Sequence, residues 1–311
     1  MFDFNPMSPE FQANPYQYYH LLHEHMPMFH WEQANIWFFS RYEDCVTVLK
    51  DARFGHEFMS QLTPEELAAL PPSTFEQKPL WEMQTNWMLL RNPPDHTRLK
   101  MLMHKAFTPR TIERLRSHIQ EITDDLLDKV QDSGKMDLVE DLAFPLPITV
   151  IAELLGIPIE DREILRNWSR DLAITLELIE DPEPYNRAAK ATVEITDYLR
   201  QLVGERRKQP REDLISALVA AEEAGDKLTE AELISNVILL LIAGHETTVN
   251  LISSGTLALL NHPDQFDKVK RDPSLVKNAV EELLRYDSPV QLTSRVMMQD
   301  VELNGKMICR G

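Results

Sequence analysis

The 311-residue sequence predicts a mainly α-helical fold with a small β-sheet region, carried by a single domain over residues 1–311. Three observations lead there. Apolar residues recur at three- and four-residue spacing through most of the chain, as in Ile112, Leu115, Ile119, Ile122, Leu126 and Val130. Alternating segments occur near the two ends, at Pro27–Ser40 and after Val290. No repeat, low-complexity tract or interdomain linker divides the chain.

The elements follow in order. Ser8–His25 opens the chain with a short helix from Pro15 to His25. Phe29, Trp31, Trp37, Phe38 and Phe39 flank Gln33-Ala34-Asn35, which reads as a strand pair before a helix over Tyr42–Asp51. Arg53–Leu90 reads as irregular because of Pro64, Pro71, Pro72 and Pro79. Its Phe75, Trp81, Met83, Trp87 and Met88 suit a long loop packed over something. A helix over Pro94–Phe107 comes next, and Thr108-Pro109 supplies an N-cap and a first-turn proline for another. Pro147–Leu155 should be helical and stop at Gly156 in a left-handed cap. Helices over Asp161–Ile179, Pro184–Lys208 and Asp213–Ala224 lead to the central one. Thr229 and Glu232 form the capping box that opens it. It could run to Leu260, on the order of 45 Å at 1.5 Å per residue. Two shorter helices follow Pro263 and end near Tyr286, and Asn304-Gly305 marks a hairpin in the tail.

Composition narrows the function. Hydrophobic content of 43% and charged content of 26% suit a soluble globular protein. A net charge of −18 lacks the basic stripe that nucleic-acid binding needs, and it disfavours anionic membranes. Met1–Pro6 shows no basic-then-apolar leader, and the apolar run Val237–Gly244 is too short to span a bilayer. Cys45 and Cys309 give no disulfide framework. A cytoplasmic protein is the expectation.

The central helix carries Ala243-Gly244-His245-Glu246-Thr247-Thr248 inside its apolar run. An acid and two threonines there are costly unless hydrogen-bonded or functional. Glycine costs roughly 1 kcal/mol against alanine, yet lets another group approach the backbone closely. The run begins like a zinc-protease helix, but the histidine required four residues on is Val249. Two readings stay open from the residues themselves. Glu246 could pair with a buried base in a core helix. Alternatively, the Thr247 hydroxyl could take the carbonyl of Ala243 or Gly244, open the helix locally and deliver protons beside the acid.

Three other clusters stand out. Glu282 and Arg285 lie three apart and can pair on one helix face, where exposed pairs contribute little. His96 and Lys100 lie one turn apart near a helix start, suited to hold carboxylates or phosphates or simply to form a solvated basic face. His20, His23, His25 and His30 lack metal-ligand spacing, since Pro27 separates His30 from the helix. They read as solvated histidines.

Together, and in this order, these motifs resemble the cytochrome P-450 superfamily, above all its soluble bacterial members that oxidise secondary metabolites, fatty acids, steroids or terpenoids. Ala243-Gly244-x-Glu246-Thr247-Thr248 is similar to the family's oxygen-activating motif, and Glu282-x-x-Arg285 to its structural pair. Pro93-Pro94-Asp95-His96-Thr97-Arg98-Leu99 is similar to the segment that holds a haem propionate. The resemblance implies a b-type haem, a monooxygenase activity on an apolar small molecule, dioxygen as co-substrate, and electrons from a ferredoxin or flavodoxin. It implies that Glu246 and Thr247 pass protons towards dioxygen and that Ala243 and Gly244 leave room above the haem. His96, Lys100 and Arg295 would neutralise propionates, with Lys100 where many relatives carry arginine. Phe75–Leu90, including Trp87, together with Leu240, Val290, Gln291 and Leu292, would border the substrate.

The family's iron is held by a cysteine thiolate in a glycine-rich loop. Cys309 lacks the preceding phenylalanine-glycine pattern, and Cys45 sits with Val46 and Leu49 in an early helix, where a structural thiol is the default. No axial cysteine is therefore assigned. The expectation is a P-450 fold lacking its C-terminal segment, weak haem retention and no competent turnover from these residues alone. The competing expectation is a haem-free binder of an apolar ligand on the same scaffold.

Overall fold

The computed structural model describes residues 4–57, 62, 63, 65, 77–107, 109–177, 181–223 and 228–310. The chain divides into two compact units.

The smaller unit comprises residues 1–76, 175–184 and 294–311. It contains α1 (Pro9–Ala13), α2 (Tyr16–His25), β1 (Met28–Trp31), β2 (Ile36–Phe39), α3 (Tyr42–Lys50) and β3 (Phe54–Gly55). The chain returns to it with β4 (Val296–Met297), β5 (Val301–Leu303) and β6 (Lys306–Ile308). The Ser8 hydroxyl accepts from the Phe11 N–H and starts α1. Strands β1 and β2 pair antiparallel from Met28↔Phe39 to Trp31↔Ile36. Asn35 makes their turn at φ 52°, a region that asparagine tolerates. Phe4, Phe11 and Leu22 form a small core joined by Phe29 and Phe38. Asn304 and Gly305 both have positive φ, 51° and 74°, as a tight hairpin turn requires, and β5 and β6 pair across it. Among the described residues the expected sheet is thus three two-stranded ribbons, of which β3–β4 alone joins distant segments.

The larger unit comprises residues 77–174 and 185–293. Its helices are α4 (Lys78–Thr85), α5 (Asp95–Ala106), α6 (Pro109–Gln131), α7 (Pro145–Leu155) and α8 (Arg162–Ala173). They continue with α9 (Glu183–Lys208), α10 (Leu214–Glu223), α11 (Glu230–Asn261), α12 (Pro263–Arg271) and α13 (Val276–Tyr286). Helix α4 corrects the reading of Arg53–Leu90 as irregular. Pro79 lies in its first turn, where the missing N–H costs nothing and the fixed φ starts a helix. Helix α8 is also shorter than expected, since its end tightens into a 3-10 turn over Ile174–Leu176. Thr108 and Phe75 lie outside the described residues.

Helix α11 is the axis of the unit. The expected capping box is formed: the Thr229 hydroxyl accepts from the Glu232 N–H, and the Glu232 carboxylate accepts from the Thr229 N–H. By length and composition α11 could cross a membrane. Its apolar character is explained instead by packing. Leu233, Val237, Ile238, Leu241 and Ile242 are buried in one core with Leu80, Leu99, Ile148, Leu165 and Leu218 of α4, α5, α7, α8 and α10. Gly156 ends α7 at φ 77°, as expected. Its hydrogen faces Asp213, leaving no room for a Cβ. Asp213 in turn accepts from Nε of Arg206 at 2.5 Å, and that guanidinium is 1% exposed and also donates to the Gly156 carbonyl.

Candidate active site

The buried run of α11 ends at Ile242, and the next two residues, Ala243 and Gly244, are exposed. Glu246 and Thr247 follow, half-buried. The Thr247 hydroxyl donates to the Ala243 carbonyl at 2.6 Å, and Thr248 does the same to Gly244 at 3.1 Å. The expected bond is present, but the expected opening of the turn is not: α11 is continuous through Asn261. A carbonyl oxygen has two lone pairs, so it can accept the hydroxyl without giving up its place in the helix ladder. Gly244 has a packing reason as well. A Cβ there would lie 3.3 Å from Ile151 Cδ1, so the bare backbone lets α7 approach α11.

Between Gly244 and Glu246, His245 is fully buried. Its Nδ1 lies 3.2 Å from Ser169 Oγ on α8 and 3.5 Å from Glu246 Oε1. The sequence drew attention to His245 only as the start of a failed metal motif. Neither its burial nor its Ser169 partner was read from the sequence.

His96 and Lys100 lie one turn apart on α5, and neither side chain makes a hydrogen bond or ion pair with another described residue. Arg98 between them is committed elsewhere, to Asp95 at 3.0 Å and to Glu232 of α11 at 3.2 Å. Arg295 belongs to the smaller unit, where burial holds its guanidinium below its usual range and it donates to the Ser294 carbonyl. Glu282 and Arg285 form the expected pair on α13, with two bonds of 2.8 and 2.6 Å. Both are largely exposed, and the Arg285 hydrogen bonds hold the Glu282 carboxyl below its ordinary value.

The residues expected to border a substrate scatter. Trp87 is enclosed in the core of the larger unit, because the indole buries more apolar area there than on an open surface. Leu240 packs half-buried against that core. Val290, Gln291 and Leu292 lie exposed beyond α13, with Gln291 Nε2 donating to the Ser288 carbonyl.

The sequence profile of the cytochrome P450 family matches residues 11–311. The chain belongs to the cytochrome P450 family. It is 45% identical over 278 residues to cytochrome P450 CYP107DY1 of Priestia megaterium, covering 88% of the chain and 67% of that protein. It is 41% identical to the polyketide biosynthesis cytochrome P450 PksS of Bacillus subtilis, covering 99% of the chain and 75% of the relative. The structure of P450BioI in complex with hexadec-9Z-enoic acid ligated acyl carrier protein superposes with a TM-score of 0.88 at 40% identity. That match covers 98% of this P450 chain and 76% of the other.

P450s bind haem, and this P450's residues suit the acidic edge of that group. Two donors one turn apart with no described protein partner, His96 and Lys100, are free to meet carboxylates. Lysine does so as a point charge and not as a bidentate fork. The Cys45 thiol donates to the Phe39 carbonyl at 3.3 Å, and burial pushes it up, away from the thiolate. Cys309 is exposed just beyond β6.

Proposed function

We propose that the protein to which this chain belongs is a haem-dependent monooxygenase. It would insert one atom of dioxygen into an apolar small molecule, with electrons from a ferredoxin or flavodoxin, in the cytoplasm. The observation that carries this reading is an acid and an alcohol adjacent on α11, half-buried where the helix leaves its core. A scaffold that only bound an apolar ligand would have no use for them. Haem, when bound, supplies the redox chemistry.

The rest is work for side chains. His96 and Lys100 would hold propionates. Thr247 keeps its proton at the Ala243 carbonyl, which fixes the hydroxyl rotamer and leaves its oxygen free to accept another proton donor. Glu246, 28% exposed, can exchange protons with solvent and pass them towards that oxygen. The substrate class we propose is the one such relatives suggest: a fatty acid, polyketide-type metabolite, steroid or terpenoid.

The test supplies haem, a ferredoxin or flavodoxin with its reductase, isotopically labelled dioxygen and a panel of those substrates. One labelled oxygen atom in a product is expected. Stoichiometric binding of an apolar ligand without haem, and no label incorporated, would establish the binder instead.

A further inference from the structure

His245 lies wholly buried on α11 between Gly244 and Glu246. Its Nε2 is buried without a hydrogen-bond partner, a cost of about 1–3 kcal/mol that an apolar ring would avoid. What the imidazole offers lies at Nδ1, which faces Ser169 Oγ at 3.2 Å and Glu246 Oε1 at 3.5 Å. A carboxylate oxygen so close repels a ring lone pair and attracts an N–H. That assigns the proton to Nδ1, donating to Ser169 Oγ, with the Glu246 oxygen in charge–dipole contact at 3.5 Å and not hydrogen-bonded to the ring. Ring orientation is fixed from the side by Phe144, edge-on with centroids 4.6 Å apart. Phe144 itself carries the Arg166 guanidinium 3.9 Å above its ring. Ser169 and Arg166 both belong to α8.

We propose that His245, held by Ser169, is the positioning residue of Glu246: the positive end of its Nδ1–H dipole draws one carboxylate oxygen towards the ring and ties the orientation of that acid to the place of α8 against α11. This rests on the proton-handling role given to Glu246 above. It adds what sets the acid's geometry, and it makes α8 the element whose movement would change it.

Four variants test it. His245→Phe fills the space without a donor, and Ser169→Ala removes the hydroxyl that orients the ring. His245→Asn places an amide nitrogen near the position of Nδ1, whereas His245→Gln reaches towards Nε2. In the chain without haem, the carboxyl carbon NMR resonance of Glu246 is followed at fixed pH beside the thermal unfolding midpoint. We expect that resonance to move in His245→Phe and Ser169→Ala and to return in His245→Asn but not in His245→Gln. In the haem-loaded protein, product formed per electron consumed should fall in His245→Phe and recover in His245→Asn.

A folded His245→Phe with an unmoved Glu246 resonance overturns the proposal. If His245→Phe does not fold, Ser169→Ala against His245→Asn decides in the same way. Wild type that incorporates no oxygen sinks the monooxygenase reading and leaves the carboxyl result standing. Uncoupling by Glu246→Gln but not by His245→Phe does the reverse.

Discussion

Asn236, in the buried half of α11, accepts the backbone N–H of Met88 on its Oδ1 at 2.8 Å. The same amide donates from Nδ2 to the Asn86 and Glu232 carbonyls, each at 2.8 Å. One wholly buried side chain therefore satisfies a turn that would otherwise enter the core with unpaired backbone groups. Asn236→Leu strands the Met88 N–H and the Asn86 carbonyl. Each buried unpaired group costs about 1–3 kcal/mol, so for the two a loss of about 2–6 kcal/mol in denaturant unfolding is expected. A change under about 0.5 kcal/mol, the scale of ordinary surface substitutions, would show that the turn finds other partners.

Arg206 and Asp213 make a sharper case, because the guanidinium is 1% and the carboxylate 5% exposed. Asp213→Ala leaves a buried cation with, among the described residues, only the Gly156 carbonyl and a 3.8 Å contact to Glu205. Removing one partner of a buried pair typically costs about 3–5 kcal/mol. The double variant Arg206→Met with Asp213→Ala should recover much of that stability. Equal instability of single and double variants would place the cost in the α9–α10 turn and not in the unpaired charge.

Glu232 links pH to stability. Burial pushes its carboxyl up, but hydrogen bonds from Arg98 and from the Thr229 backbone outweigh this and hold it below its ordinary 4.5. A depressed folded value means the stabilisation is fully present above the unfolded value and is lost as pH falls through the folded one. Glu232→Gln keeps the capping-box residue type while deleting the charge. At pH 7 it should unfold about 1–3 kcal/mol more easily, the range for hydrogen bonds to charged groups. The gap to wild type should close as pH falls from the ordinary 4.5 through the lower folded value, where wild type protonates too. A gap independent of pH would mean that shape, and not charge, sets the contribution.

How much of this was visible in the sequence depends on the range of the cause. The capping box of α11, the left-handed stop at Gly156 and the Asn304-Gly305 turn follow from residues within a few positions of each other, and all are present. The Glu282–Arg285 pair follows from helical spacing alone. Pairing of β3 with β4 was not legible, because two-residue strands carry no periodicity. Ser169, Asn236 and Arg98 owe their roles to partners distant in sequence, on other helices or, for Asn236, in the turn after α4. Helix α4 was missed for a local reason: a proline density that signals a loop on average here includes one proline in a first turn.

The second half of α11 and the helix packed on it present apolar groups to solvent. Leu257 is 59% and Leu260 58% exposed, and Val276, Val280 and Leu284 of α13 are exposed as well. Single exposed apolar residues are ordinary, whereas several on adjoining helices favour association. This 311-residue chain should bind a hydrophobic dye and self-associate at micromolar concentration. Replacing Leu257 and Leu260 by glutamine should reduce both signals. A monomeric chain that binds no dye would show these side chains covered in solution.

Thr247 carries the functional prediction most directly, because its hydroxyl does two separable things. It donates to the Ala243 carbonyl at 2.6 Å, a local contact worth about 0.5–1.5 kcal/mol, and its oxygen remains able to accept a proton from another donor. Thr247→Val removes both at nearly constant volume, whereas Thr247→Ser keeps both. If the hydroxyl only steadied α11, Thr247→Val would lower the unfolding free energy slightly and leave chemistry alone. A proton-handling role predicts otherwise. In the haem-loaded protein, product per electron should fall by roughly 10-fold or more in Thr247→Val and in Glu246→Gln, since a positioned proton donor contributes on the order of 10²–10⁴ in rate. Thr247→Ser should stay close to wild type. Coupling in Thr247→Val equal to wild type would leave the threonine a helix contact and return the assignment of the proton path to Glu246 alone.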